Sequence, residues 1–144
     1  METTSRTPMH LWIVGGMSAL WNAFGAFDYV MTQTANDAYL AQFSAEQRVY
    51  FESFPAWADA AWACGVWGAL LGSLLLLARS RYAVLAFGIS LAGLAVSTIY
   101  QYGMATPPDG LMTGGMVALN LAIWAIAIAL LIYAWKMHAK GMLR

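Results

Sequence analysis

Asp28 is the residue whose type and placement point most directly to chemistry. It falls about 4–5 Å inside the end of a long apolar stretch. An ionisable group at such depth in hydrocarbon marks a functional site by default. It also lies near the C-terminal end of the helix that the stretch must form, where the macrodipole disfavours a carboxylate. Two roles follow. Paired with a cation, Asp28 would pin one element onto another. Unpaired, it would be a proton acceptor. Arg48 is the one Lys or Arg on the same side of the chain's apolar segments, so an Asp28–Arg48 ion pair is the specific expectation. Asp59 sits in the first turn of the next apolar segment, where the helix dipole favours an anion and suffices to explain it. Asp28 and Asp59, with Tyr29, Trp62, Tyr100 and Gln101, are placed to line a small polar pocket opening outward. Ligand sites usually take this form, apolar walls with a few polar anchors.

Other chemistries find no support, and no cofactor or metal is expected. His10 and His138 both sit at the ends of their segments expected to be cytoplasmic, so no intramembrane His pair could hold a haem. No His/Cys/Asp cluster has zinc spacing. The glycines are spread at helix-packing intervals, unlike a phosphate loop. Met104, Met112 and Met116 could ligate Cu(I), but three methionines among nine read as packing. Cys64 reads as a small apolar filler. Asn22 and Asn120 lie deep in their segments and read as interhelical hydrogen-bonding groups.

The elements that must position these residues are plain. Residues 11–27, 60–78, 82–100 and 110–135 contain no Asp, Glu, Lys or Arg. A bilayer core about 30 Å thick needs roughly 20 helical residues to cross it. Hydrophobic residues make up 61% of the 144 and charged residues 10%. Soluble domains carry roughly 25% charged residues, so this is a strong departure. The expected fold is all-α: a single integral membrane domain, a four-helix bundle running up-down-up-down. Its spans fall at about 11–31, 56–77, 82–101 and 111–135. Net charge is zero and no basic run exists, which excludes nucleic acid as a partner. Asn22 interrupts the first apolar stretch and no small-x-small cleavage site follows, so it reads as a retained span and not a signal peptide.

Six of the seven Lys and Arg residues precede span one, join spans two and three, or follow span four. Those places share one side of a four-span protein. Cytoplasmic loops carry the Lys/Arg excess, so both termini are expected in the cytoplasm. Trp57, Tyr100 and Tyr102 outside, and Trp12, Tyr82, Tyr133 and Trp135 inside, suit interfacial belts. The outer connection, residues 33–54, is polar but patterned. Ser44 and Gln47 form a capping box that opens a short helix. Val49, Tyr50 and Phe54 give it an apolar side, so one or two short helices are expected to lie at the membrane surface.

Small and polar residues recur at spacings of three and four. The stripes are Gly15, Ser18, Asn22 and Gly25 in span one, then Gly65, Gly68 and Gly72 in span two. Span three carries Ala86, Ser90, Gly93 and Ser97, and span four Ala118, Ala122, Ala125 and Ala129. Such stripes let membrane helices approach closely.

The run Trp21-Asn22-x-x-Gly25-x-x-Asp28-Tyr29 and the start Pro55-x-Trp57 resemble small four-span bacterial membrane proteins of the broad DoxX-like group. The resemblance implies a bacterial inner membrane and an accessory role beside redox enzymes. The residues themselves add three functional expectations. The first is a structural or accessory subunit packed against a larger membrane complex; the expected partner is another membrane protein or, in a homo-oligomer, a second copy of the chain. The alternative is a small-solute binding or proton-linked transport protein using the pocket around Asp28. A membrane enzyme is the least supported, since no nucleophile is visible. The lipid bilayer is a partner in every case.

Overall fold

The computed structural model describes residues 6–144. All regular structure among them is helical. The long helices are α1 (Met9–Gln33), α4 (Ala56–Leu77), α5 (Tyr82–Ile99) and α6 (Gly114–Ala139), with two short ones, α2 (Asp37–Leu40) and α3 (Ala45–Glu52), between α1 and α4. A π-helical turn, Tyr100–Met104, extends α5, and a 3-10 turn at Asp109–Leu111 precedes α6. Three segments are long and apolar enough to cross a membrane: Ala56–Leu77, Tyr82–Met104 and Gly114–Ala139. Helix α1 is as long but less apolar, diluted by His10, Asn22 and Asp28. Large apolar side chains point outward along all four, among them Ile13, Met17, Leu71, Leu85, Leu121 and Ile132. An exterior of this composition suits lipid and not water.

Local sequence explains the boundaries. Pro8 and Pro55 flank the N-termini of α1 and α4, where a missing N–H costs nothing. Thr113 caps α6, its hydroxyl accepting from Met116 N–H. Ser44 and Gln47 form a complete capping box on α3. Ala35 takes a left-handed conformation (φ 49°) that stops α1, and Asn36 at once caps α2 by accepting from Tyr39 N–H. The chain therefore reverses within a few residues and lays α2 back toward α1.

The spine of the fold is the α4–α5 pair. A Cβ added to Gly93 would lie 2.6 Å from both Ala61 O and Gly65 N, so these two backbones touch where only hydrogen fits. A Cβ on Gly68 would lie 3.1 Å from Ala86 O, and one on Gly72 would enter the Phe87 ring. The Ser90 hydroxyl donates to Gly65 O across the same seam. Helix α1 packs on the other side of α4. Gly15 faces Leu77, the Ser18 hydroxyl turns back to Gly15 O, and Asn22 Nδ2 donates to Ser73 Oγ at 2.9 Å and Ala69 O at 3.2 Å. Bonds of this kind contribute about 0.6 kcal/mol in membranes.

Helix α6 packs on α5 over a narrower seam, and its inner face is not the alanine stripe of the sequence pattern. Leu130, Ala134 and Met137 are buried, whereas Ala118, Ala125 and Ala129 are exposed. In the first half of α6 Trp124 Nε1 donates to Thr98 Oγ1 at 3.3 Å; the buried residues fall in its C-terminal half. There Leu11, Leu76, Ala83, Phe87, Leu130, Ala134, Met137 and Leu143 form one core joining all four long helices. His10 Nδ1 and the Tyr133 hydroxyl lie 2.6 Å apart, linking α1 to α6 at the same end. Gly141, in the left-handed region (φ 71°), turns the tail back. Arg144 N–H then donates to Arg79 O, and Arg81 N–H to Arg144 O.

The α4–α5 contact is the easiest to test. Gly93→Ala should lower the melting temperature of the detergent-solubilised protein by several degrees. Gly88→Ala, with open space around its Cβ, should leave it unchanged or raise it slightly, as alanine favours helix over glycine by about 1 kcal/mol.

Candidate functional site

Beyond the tightly packed end, where α4 and α5 stay in contact, the bundle holds a cavity of about 600 Å³, within the range of small-molecule sites. Every long helix contributes to its wall, and α2, α3 and the loop before α6 roof its far end. The wall is mostly apolar and rich in aromatic side chains, notably Trp62 and Phe87. Its polar groups include Asn22 and Ser90 deep in the bundle and Asp28, Thr32, Ser97, Thr98, Gln101, Tyr102 and Asn120 nearer the roof.

The roof is an aromatic chain. Phe27 meets Tyr39, Tyr39 meets Phe43, Phe43 meets Phe51, and Phe51 meets Tyr50 and Phe54, with centroids 5.2–6.2 Å apart among these rings. Phe54 then meets Tyr100 at 5.0 Å. Edge-to-face pairs of this kind each add about 0.5–1.5 kcal/mol beyond area burial. Tyr50, Phe54 and Ala58 are buried as a small second core. Desolvation at this core, with Tyr100 and Tyr102 nearby, pushes the Tyr50 phenol up to about 12, so it stays neutral.

Asp28 is where the roof joins α1. Its Oδ1 accepts a hydrogen bond from the Tyr39 hydroxyl. Burial first, and then the carboxylate itself, push the Tyr39 phenol up to about 12, so it remains a donor at neutral pH. The expected Asp28–Arg48 ion pair does not form. No salt bridge joins them among the described residues, and Arg48 Nε is buried without a hydrogen-bond partner. The chain reversal at Ala35 delivers a phenol to the carboxylate before α3 begins. Arg48 lies one helix further on.

Of the six residues expected to share a pocket, Asp28, Trp62 and Gln101 line the cavity together. The other three stand outside its wall. Tyr29 packs edge-on against Trp62 and Trp67. Asp59 accepts a hydrogen bond from Gln33 Nε2 at 3.1 Å, tying the end of α1 to the start of α4. Tyr100 packs between Phe54 and Trp57. Tyr100 and Gln101 are adjacent and point to different sides of the helix, so Gln101 and Tyr102 line the cavity while Tyr100 joins the aromatic roof.

Gly25 departs from the helix-packing role its spacing suggests. A Cβ there would meet nothing within 4 Å, and the residue lines the cavity instead. Tyr39, Phe43 and Phe51 were not legible as site residues. The alternation of aromatic and polar residues over 39–51 was the available signal, but it could not reveal which way the segment folds. Among the described residues no group of three His, Cys, Asp or Glu is placed to hold a metal ion.

The chain matches no protein-family model, no curated protein and no solved structure.

The Asp28–Tyr39 bond should hold the roof in place. Tyr39→Phe removes it at a cost of about 1 kcal/mol, more if the carboxylate is left unsatisfied. Amide exchange over residues 37–43 should accelerate while that of α4 and α5 is unchanged. The raised phenol also sets a pH window. The folded state holds this proton more tightly than the unfolded chain, so the contribution is complete below about pH 10. It is lost as pH rises toward 12, and the exchange difference between wild type and Tyr39→Phe should vanish there.

Proposed function

We propose that this chain is a small-solute binding protein of the membrane, with the cavity between its long helices as the site. The observation that carries the reading is the cavity itself: about 600 Å³, apolar-walled, with a limited set of polar groups and a roof anchored on Asp28. Interiors of well-packed bundles leave few voids larger than a water molecule. A space of this size, rimmed by specific polar groups, is better explained by an occupant than by poor packing.

In this reading α1 is a fourth span. Its 25 residues are long enough, and its outward face carries Ile13, Met17, Leu20 and Phe24. The four spans run up-down-up-down with both termini in the cytoplasm. The grouping of Arg6, Arg79, Arg81, Lys136, Lys140 and Arg144 at one end supports this orientation. A bacterial inner membrane is the setting implied by the DoxX-like resemblance. Binding can serve carriage across the membrane or presentation of the solute to a partner. The outward alanines of α6 offer a face for close helix approach, which favours the accessory-subunit reading as the second choice.

Gly25 gives a clean test of the cavity. Gly25→Leu adds side chain into open space, so it should fill the site without disturbing helix packing. The neutral fluorophore N-phenyl-1-naphthylamine should bind the wild-type protein saturably in maltoside micelles. Gly25→Leu should weaken that binding by about tenfold or more, equivalent to about 1.4 kcal/mol, without lowering the melting temperature. Equal probe binding by both proteins would remove the reading. For the orientation, Ser80→Cys in intact cells should resist an impermeant maleimide while Thr34→Cys reacts.

A further inference from the structure

We propose that the cavity selects lipophilic organic cations, such as a quaternary ammonium or phosphonium, through Asp28 and the surrounding aromatic rings. The inference rests on the cavity being a binding site and names the class of solute it takes.

Charge is the first argument. Among the residues that line the cavity Asp28 is the one acid, and there is no Lys, Arg or His. Arg48, the cation the sequence offers as a partner, forms no salt bridge with it. Tyr39 engages Oδ1, leaving Oδ2 without a protein donor among the described residues. A neutral phenol orients the carboxylate but leaves its charge uncompensated. In a low-dielectric cavity an uncompensated charge attracts an opposite one far more strongly than it would in water, and it repels an anion equally.

The walls are the second argument. Aromatic faces carry negative electrostatic potential and attract cations, most strongly when these are poorly hydrated. Trp21, Trp62, Phe43, Phe51, Phe54 and Tyr102 come from four different parts of the chain to one cavity. A small inorganic cation is poorly served here. It would need several oxygen ligands to replace its hydration shell, and no acidic or His/Cys cluster supplies them among the described residues. A cation whose charge is spread under hydrocarbon needs no such shell. It fits an apolar wall with a single carboxylate and the available volume.

Tetraphenylphosphonium and tetraphenylborate have nearly the same shape and opposite charge, so they separate charge recognition from apolar partition. Binding to purified protein in maltoside micelles is read by calorimetry and by quenching of tryptophan fluorescence, against protein-free micelles. Saturable binding of the phosphonium about tenfold or more tighter than the borate is expected. Asp28→Asn should abolish the preference, and Asp28→Glu should keep it. Equal affinity for the two ions, tighter borate binding, or a preference unchanged in Asp28→Asn would overturn the cation assignment and leave the cavity reading standing. Binding of the naphthylamine but neither ion would do the same. Failure of all three probes would remove both. The comparison of the two ions on wild-type protein decides the matter even where Asp28→Asn does not fold.

Discussion

The structure depends on one close approach, that of α4 to α5 along Gly65, Gly68, Gly72 and Gly93. In hydrocarbon there is no hydrophobic drive to bring helices together, because lipid tails are as apolar as leucine. What remains is van der Waals contact and a few polar links, and both fall steeply with distance. At Gly93 the facing backbones leave no room for a Cβ, and Ser90 bonds across the seam to Gly65 O. This pair is the rigid element on which the other long helices are hung.

The helices flanking that pair are held unevenly, and this unevenness creates the site. Helix α1 lies on α4 through Gly15, Ser18 and Asn22, and α6 lies on α5 chiefly near its C-terminal end. Where α1 begins and α6 ends, the core is continuous and the tail folds over it. Toward the other end α4 and α5 stay in contact, while the aromatic residues between α1 and α4 cover a cavity among the long helices. A void in that region would be costly if it were simply empty. The aromatic roof from Phe27 to Phe54 limits its opening, and the bond from Tyr39 to Asp28 fixes the roof to the frame. The charge at the joint is therefore both structural and the sole charge that a bound molecule would meet among the lining residues.

The same arrangement explains which parts of the site could be read in advance. Asp28, Trp62 and Gln101 share the cavity because each lies near the far end of its helix and faces the bundle axis. Tyr29 follows Asp28 directly and must point about 100° away on an α-helix, so it reaches the α4 tryptophans instead. Tyr100 and Gln101 part for the same reason. Topology alone makes Arg48 the one cation on the side of Asp28. The turn at Ala35 decided otherwise by placing a phenol nearer. Gly25 and Ala118, Ala125 and Ala129 of α6 share the spacing of true packing positions, yet they face open space or the exterior.

Composition and periodicity by themselves determined that this chain is helical, that at least three of its helices suit a membrane, and where most of them start and stop. Those properties follow from short-range physics: the exclusion of charge from hydrocarbon, the hydrogen-bond demand of the backbone, and the conformational limits of proline and capping residues. Tertiary structure alone decided which small-residue faces meet a neighbour, where the helices leave a cavity, and which side chain satisfies Asp28. These depend on the rotation of each helix about its axis and on the direction of one tight turn. Both are set by the sum of many weak contacts between residues distant in sequence, and no local pattern encodes that sum.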